Sequence, residues 1–322
     1  MPTRASSFAA VLSLALSLTS AALAGPLAVS STPAVDSYSF MLGHMKITAL
    51  SDGTVPQDLH QLLTGTTQPE VDSLLEGSFL QNPVEASINV YLIEDGERRI
   101  LVDTGAGQLF GPGLGGKLLD GLNAIGIAPS DITDILITHV HTDHTGGLVM
   151  DGRPAFPNAT VHVAASDLEF FLERENSEKT GYAMQYFEEA EKTVGAYEAT
   201  GQIDHFDETE NILPGIVATV HPGHTPGSAF FTVSSEGETM VFVGDLVHVA
   251  AVQFPSPQIT IVYDVAPDQA ETTRIEAFSD FADKRELIAA PHLPFPGVGH
   301  VSVKDDASFM WHPVEYRDRK AD

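Results

Sequence analysis

The chain has 322 residues, of which 43% are hydrophobic and 19% charged, a composition typical of a globular protein and not of a disordered one. Its formal net charge of −28 disfavours nucleic-acid partners, because an acidic surface repels phosphate backbones. The chain has no cysteine, which excludes a disulfide and also a thiolate ligand or nucleophile.

A secretory signal peptide is predicted at the N terminus. Arg4 precedes an apolar run over residues 8–18, and Ala22 and Ala24 then form an A-x-A cleavage pattern. The apolar run is too short to span a bilayer comfortably, which makes an anchoring helix the less favoured interpretation. We therefore expect residues 1–24 to be removed and the mature protein to be periplasmic or secreted, with no membrane partner.

Residues 25–37 are predicted to be a mobile leader, and residues 38–322 a single domain. Strands are predicted over residues 38–42, 45–50, 88–93, 99–103, 132–138, 160–164, 216–220, 229–233, 240–243 and 287–290. Helices are predicted over residues 114–125, 166–196 and 267–284, the second of them broken near Thr180-Gly181. Hairpins come first and strands then alternate with helices, which predicts an α/β sandwich with helices packed outside the sheets.

Seven possible metal ligands follow apolar strands: His139, His141, Asp143, His144, His224, Asp245 and His292. Residues two apart in an extended strand end point the same way, so His139 and His141 can bind one ion together. The chain must then turn, which Gly146-Gly147 permits, and the remaining motif residues can face a second ion.

Each of these histidines taken singly is more often structural than a ligand, but their clustering argues against that interpretation. Seven ligands are too many for one zinc and suit two ions. Imidazole and carboxylate ligands without thiolate suit zinc, and also manganese, iron or cobalt. We therefore predict two divalent metal ions, with zinc the first choice.

The sequence resembles the metallo-β-lactamase superfamily of hydrolases. Its H-x-H-x-D-H signature stands at residues 139–144, with D-T-G at 103–105, G-H-T-P-G at 223–227, G-D at 244–245 and a late histidine at 292. Residues 47–55, 109–115, 250–254 and 292–300 are more closely similar to the methyl parathion hydrolase branch, which also contains lactonases and aryl esterases.

This resemblance implies a four-layer αββα sandwich, two metals between the sheets and often a homodimer. It implies that His139, His141 and His224 hold one metal, that Asp143, His144 and His292 hold the other, and that Asp245 bridges them. Asp103 is expected to orient a ligand histidine through a hydrogen bond. His221 and His300 are expected to support ligands from further out or to be structural.

A water activated between two metal ions would be the nucleophile, with Asp143, Asp245 and His248 as the catalytic side chains. His248 lies three residues after Asp245 and could orient a carbonyl or protonate a leaving group, or it could only pack locally. No G-x-S-x-G elbow is present. An apolar pocket for an uncharged substrate is expected from Leu62, Phe110, Phe171, Ile261 and Tyr263, each of which could instead be core.

Three functions remain open at this point. The first is a lactonase or aryl esterase, and the second is a phosphotriesterase similar to methyl parathion hydrolase. Leu62, where an arginine could stand in that branch, weakens the second. The third is a non-catalytic metal-binding protein on the same scaffold, which the complete ligand set argues against.

Overall fold

The computed structural model describes residues 37–305 and 308–317. The predicted signal peptide, residues 1–24, lies outside the described residues, and so does the predicted leader except for its last residue. That residue, Ser37, already begins the first strand. No helix in the described part of the chain has the length and apolar character needed to cross a bilayer.

The first half of the domain is rich in strands, with short helices between them. Its strands are β1 (Ser37–Leu42), β2 (Met45–Gln57), β3 (Leu63–Thr64), β4 (Val84–Asp95), β5 (Arg98–Val102), β6 (Asp134–Leu136), β7 (Val149–Met150), β8 (Arg153–Pro154), β9 (Thr160–Ala164) and β10 (Ile203–Phe206). Its helices are α1 (Leu59–Leu62), α2 (Gln68–Gly77), α3 (Leu118–Ala124), α4 (Thr142–Thr145), α5 (Ala165–Phe171), α6 (Glu175–Thr180), α7 (Met184–Lys192) and α8 (Val194–Glu198).

The second half contributes the remaining strands and one long helix. Its strands are β11 (Thr209–Leu213), β12 (Ile216–Val220), β13 (Ala229–Ser235), β14 (Glu238–Phe242), β15 (Thr260–Ile261), β16 (Leu287–Ala289), β17 (Val298–Asp305) and β18 (Ser308–Pro313). Its helices are α9 (Ala250–Gln253) and α10 (Pro267–Lys284).

Two seven-stranded mixed sheets form the centre of the domain. The first has the order β1-β2-β4-β5-β6-β9-β10, and the second has the order β11-β12-β13-β14-β16-β17-β18. The pairs β5–β6, β6–β9, β9–β10 and β14–β16 are parallel, whereas the other pairs in these sheets are antiparallel. Two minor pairs, β3 with β15 and β7 with β8, stand apart from them.

Alternation of side chains along the strands builds three cores and thereby four layers. On β2, Ile47 and Ala49 face the second sheet, whereas Leu50 faces the helices outside the first sheet. The second sheet packs its other face against α10 through Phe278 and Phe281. The order is therefore helices, sheet, sheet, helix, and the predicted αββα sandwich is confirmed.

Two predicted helices have different bounds in the structure. The helix expected over 114–125 begins only at Leu118, because Gly115 and Gly116 have φ of 67° and 77° in the left-handed region. The buried carboxylate of Asp52 accepts a hydrogen bond from the Leu118 N–H at 2.8 Å and so satisfies the helix start.

The helical region expected over 166–196 divides into α5, α6, α7 and α8. The predicted break is present at Gly181, which ends α6 with φ of 77°. A second break follows Phe171, because Leu172 closes α5 before α6 begins. Strands β3, β7, β8, β10, β11, β15, β17 and β18 were not predicted, and all of them except β17 have only two to six residues.

Candidate metal centre

The seven candidate ligands converge because each follows a strand at the same edge of the sandwich. His139 and His141 lie between β6 and α4, and Asp143 and His144 lie within α4. His224 follows β12, Asp245 lies in a short turn after β14, and His292 follows β16. The first sheet therefore supplies four of these side chains and the second sheet supplies three.

One group of side chains contains three imidazoles and a carboxylate. The Nδ1 atom of His141 lies 3.0 Å from Nε2 of His139 and 3.0 Å from Nε2 of His224. The Oδ2 atom of Asp245 lies 3.6 Å from Nε2 of His139 and 3.4 Å from Nε2 of His224. Three imidazole nitrogens and an oxygen at these separations can surround one cation.

A second group lies beside the first and shares Asp245. His144 Nε2 lies 3.7 Å from Oδ1 of Asp143, and His292 Nε2 lies 3.4 Å from Oδ2 of Asp143. The Oδ1 atom of Asp245 lies 3.2 Å from His144 Nε2 and 3.1 Å from His292 Nε2. Oδ1 faces His144 and Oδ2 faces His139 and His224, whereas His292 Nε2 lies 3.1 Å from each of the two oxygens. Asp245 is therefore placed between the two groups, where it could bridge two cations.

Several buried polar atoms in this cluster have no hydrogen-bond partner. They are Nε2 of His144, Oδ1 of Asp245 and both ring nitrogens of His248. Unsatisfied buried polar atoms are costly, and their concentration here is what a site built for cations produces. The residues present therefore fit two divalent ions bound by imidazole and carboxylate.

The charges of the cluster agree with that interpretation. Burial lowers the pKa of His139 and His141 well below the usual value, and neighbouring imidazoles lower it further. Burial also acts to lower the pKa of His224, but Asp245 and Asp264 outweigh it and raise that pKa to about 9. The carboxylates thus favour a positive charge in the site. A bound cation would supply that charge in place of the proton.

Each of the five imidazoles in the two groups is oriented by a hydrogen bond through its other ring nitrogen. The contacts are His139 Nδ1 with Thr138 Oγ1 at 3.1 Å, His141 Nε2 with Tyr182 Oη at 2.7 Å, His144 Nδ1 with Asp103 Oδ2 at 2.8 Å, His224 Nδ1 with Asp264 Oδ1 at 2.7 Å and His292 Nδ1 with the Ser87 carbonyl at 2.8 Å. Such partners fix the nitrogen that faces a metal.

Asp103 takes the orienting position expected for it, but Tyr182 and Asp264 were missed. The Tyr182 hydroxyl donates to the Tyr263 carbonyl at 2.8 Å, so its oxygen is free to accept from His141. Asp264 stands in the apolar stretch 259–265, where a buried carboxylate is destabilising unless it is paired. A charged residue in such a stretch was the sequence signal that could have indicated its role. Nothing near Tyr182 in the sequence indicated its role.

A third missed residue, Asp167 of α5, connects two of the ligand loops. Its carboxylate accepts hydrogen bonds from the Val140 N–H at 2.8 Å, the Thr225 hydroxyl at 2.9 Å and the Gly227 N–H at 2.6 Å. Val140 lies between His139 and His141, and Thr225 directly follows His224. Asp167 therefore holds together the loops that carry the first group.

A cavity of about 310 Å³ opens above the cluster. Three of the predicted wall residues, Leu62, Phe110 and Tyr263, line it together with His248. The prediction was wrong for Phe171 and Ile261, which are fully buried in hydrophobic cores. The Phe171 ring packs against the edge of the His141 ring instead of facing the cavity, with centroids 5.6 Å apart.

The two histidines that were expected to support the ligands from further out do not contact them in the described structure. His300 is exposed on β17, and its Nδ1 atom lies 2.9 Å from the Glu286 carbonyl, which contradicts a supporting role at the metal centre. His221 stacks on Phe230 with ring centroids 3.9 Å apart and belongs to the packing of the second sheet. Closeness to a ligand in the sequence was therefore not enough to predict a contact with it in the structure.

Comparison with known families identifies the architecture. The model of the metallo-beta-lactamase superfamily matches residues 84–292. The chain belongs to this superfamily. The matched region begins with β4 and ends at His292, so it contains all seven candidate ligands.

Two solved structures resemble the superfamily member described here over most of its length. One, described as the hydrolase AbOPH in the beta lactamase superfamily, is 34% identical with a TM-score of 0.84, and the match covers 89% of this chain and 100% of that one. The other, AidC, described as a dizinc quorum-quenching lactonase in complex with its product N-hexanoyl-L-homoserine, is 26% identical with a TM-score of 0.79, and the match covers 88% and 99%.

Among curated relatives, the ribonuclease TTHA0252 of Thermus thermophilus is 26% identical over 183 residues, which are 56% of this chain. The match covers only 40% of that ribonuclease. The likeness therefore concerns one part of that ribonuclease and not the whole of it.

Proposed function

We propose that this protein is an exported hydrolase with two metal ions, most favourably zinc, that opens lactones or cleaves aryl esters. The observation that carries the proposal is Asp245, whose two oxygens face two separate ligand groups at the floor of the cavity. Two cations held there would activate a water and polarise the substrate oxygen. No protein nucleophile is required.

The side chains of the cavity determine which substrates can enter. Leu62, Phe110 and Tyr263 are apolar or aromatic, and the cavity lining in the described residues includes no lysine or arginine. An uncharged substrate with an apolar portion suits such walls better than an anion does. AidC, whose structure contains a lactonase product, supports a lactone as the first choice.

Tyr263 is the polar group of the wall that is best suited to bind the substrate. Burial raises the pKa of its phenol, and the nearby carboxylates of Asp143 and Asp245 raise it further. The hydroxyl therefore stays protonated and can donate a hydrogen bond to a carbonyl or to a leaving oxygen. Asp143 and Asp245 contribute by holding cations, for which their ionised form is needed.

A phosphotriesterase is the second candidate, because a neutral triester also fits a cavity whose lining, in the described residues, has no lysine or arginine. Leu62, where that branch could carry an arginine, keeps this function in second place. A non-catalytic role is a weaker alternative, since both ligand groups are complete. Nuclease activity is disfavoured by the net charge of −28, although a ribonuclease is among the relatives.

The decisive experiment compares three substrates with one preparation of known metal content. We would measure kcat/KM for an aryl lactone, a long-chain acyl-homoserine lactone and methyl parathion, with Asp245→Ala as the inactive control and His300→Ala as the active one. We expect two metals per chain and a preference for a lactone. A preference for the triester would favour the second candidate, and full metal occupancy with no turnover would contradict the proposed reaction.

Export and a homodimeric state belong to the same proposal and need separate tests. N-terminal sequencing of the periplasmic or secreted protein should begin near Gly25, and a start at Met1 in the mature protein would contradict export. Light scattering should give twice the mass of one chain, whereas a single-chain mass would contradict the dimer.

A further inference from the structure

His248 is a buried histidine that no orienting contact explains. The backbone N–H of His248 donates to Oε1 of Gln253 at 2.7 Å, which fixes where the residue leaves the turn after Asp245. Its side chain is 1% exposed, yet neither ring nitrogen has a hydrogen-bond partner. A buried polar group without a partner is destabilising, so a ligand for these nitrogens is needed.

The ring of His248 is aimed into the ligand cluster. Its Nε2 atom lies 3.1 Å from Oδ2 of Asp245, although the two atoms are not aligned as a hydrogen bond. The ring stacks on His292 with centroids 5.3 Å apart and planes 17° apart, and its centroid lies 5.0 Å from that of His224. His248, Asp245 and His292 can offer three atoms to one cation.

The separation of 3.1 Å is that of two ligands sharing an ion. Two atoms that each bind one tetrahedral zinc at about 2.0–2.1 Å lie about 3.3 Å apart. An unprotonated Nε2 facing a carboxylate oxygen is repulsive, and a cation near both atoms removes that repulsion. We propose that Nε2 of His248 is an additional ligand of the metal centre, bound alongside Asp245 and His292.

This assignment makes His248 different from the other five imidazoles. Each of those has a hydrogen-bond partner on its outer nitrogen, whereas Nδ1 of His248 has none. Without that support, its bond to a cation should be weaker and easier to break than theirs. The inference rests on the proposed binuclear centre but not on the identity of the substrate.

The test uses cobalt(II) as the metal, because its visible spectrum and its effect on nearby protons report coordination. We would load the wild-type protein, His248→Phe and the matched control His221→Phe. His221 is also a histidine three residues from a ligand, but its ring stacks on Phe230 away from the cluster. Affinity for each cobalt would be measured by competition with a chromophoric chelator, and imidazole N–H protons shifted by cobalt would be counted by NMR.

We expect six shifted imidazole N–H signals in the wild type and five in His248→Phe. The substitution should weaken one cobalt site about 10-fold and intensify the visible bands as the coordination number falls. Five signals in the wild type, or unchanged affinity and spectrum in a folded His248→Phe protein, would overturn the assignment. If His248→Phe does not fold, the wild-type count decides alone.

Failure of the proposed reaction would be recognised separately. A wild-type protein with two cobalt ions, six shifted signals and no hydrolysis of any ester would contradict the substrate class and leave His248 as a ligand. A protein that hydrolyses lactones with only five shifted signals would contradict the assignment of His248 as a ligand and leave the proposed reaction intact.

Discussion

At the scale of single residues, Asp264 determines how His224 presents itself to a metal. Burial acts to raise the pKa of Asp264, but the hydrogen bond and charge of His224 outweigh it, so the net pKa lies below the usual value. Its Oδ2 atom accepts from the Ile261 N–H at 3.1 Å and lies 3.8 Å from the guanidinium of the buried Arg274. The carboxylate is therefore ionised and held on both sides.

We expect Asp264→Asn to lower the affinity for one metal by about 10–100-fold, because the amide no longer enforces the tautomer of His224. Chelator competition with zinc would measure it. Asp268→Asn, which removes an exposed carboxylate at the start of α10, is the control and should leave metal affinity unchanged. Equal affinity in the two variants would show that His224 needs no orienting partner.

The sequence predicted single residues well where they directly follow strands. The structure brings all seven proposed ligands together because strand ends meet at one edge. Residues that act through another side chain, such as Asp264 and Tyr182, depend on loop paths that no local pattern encodes. For the same reason Phe171 and Ile261 could not be distinguished from wall residues: an apolar side chain suits a core and a pocket equally.

At the scale of elements, the pair Gly146-Gly147 after α4 serves close approach more than turning. The chain turns here as expected, through a short 3-10 turn over residues 146–148, but neither glycine has a positive φ. A Cβ atom at Gly147 would lie 2.0 Å from the Thr104 carbonyl oxygen, and one at Gly146 would lie 2.2 Å from that of Ala106. The α4 segment therefore packs directly on the backbone that carries Asp103.

Gly147→Ala should destabilise the protein by about 3 kcal/mol, because the backbone of residues 104–106 must move to admit the methyl group. Urea unfolding followed by circular dichroism would measure the change. Gly77→Ala is the matched control, since a Cβ there meets no atom within 4 Å. If Gly147→Ala changed the free energy of unfolding as little as the control does, the backbone of residues 104–106 would be able to move at low energetic cost.

The helix α5 contributes Asp167, whose removal should loosen two ligand loops at once. Asp167→Asn would turn an amide N–H₂ toward at least one backbone donor and should cost about 1–3 kcal/mol for each group left unsatisfied. Metal affinity and unfolding would both report the change. Glu169→Gln on the same helix is exposed and serves as the control.

The same variant tests a dependence on pH. Burial raises the pKa of Asp167 to about 6, although three hydrogen bonds oppose the shift. Because the folded form binds this proton more tightly than the unfolded form, the stability that the proton adds is lost as the pH rises toward 6. The stability difference between wild type and Asp167→Asn, both metal-free, should therefore be wider at pH 4 than at pH 7 by about 2 kcal/mol. A constant difference across this range would contradict the raised pKa.

At the scale of the whole molecule, both sheets contribute side chains to each of the two candidate ligand groups. The first group joins His139 and His141 of the first sheet to His224 of the second, and the second group joins Asp143 and His144 to His292. The two sheets otherwise meet through the apolar core between them. Metal binding should therefore add to the stability of the sandwich as a whole.

Removal of metal by a chelator should lower the melting temperature by about 10 °C, since saturation at 1,000 times Kd stabilises by about 4 kcal/mol. Calorimetry with and without the chelator would measure the shift, and added zinc should reverse it. Asp245→Asn should melt at a temperature that the chelator hardly changes. If wild type and variant respond alike, the ions do not contribute to stability.

The overall arrangement of layers could be predicted from the sequence better than the bounds of individual elements. Hairpins followed by strand–helix alternation predicted the layers, because burial of alternate side chains determines them. The start of α3, by contrast, depends on left-handed backbone at Gly115 and Gly116 and on a hydrogen bond to the distant carboxylate of Asp52, which no local pattern encodes.

The division of ligands between the sheets has a consequence for a chain that is cut in two. A break between β10 and β11 would leave each fragment with an incomplete set of ligands for either ion. Neither fragment alone could reproduce the centre, and high-affinity metal uptake would appear only after the two fragments associate. In this protein the bound ion would therefore act as a reporter of assembly.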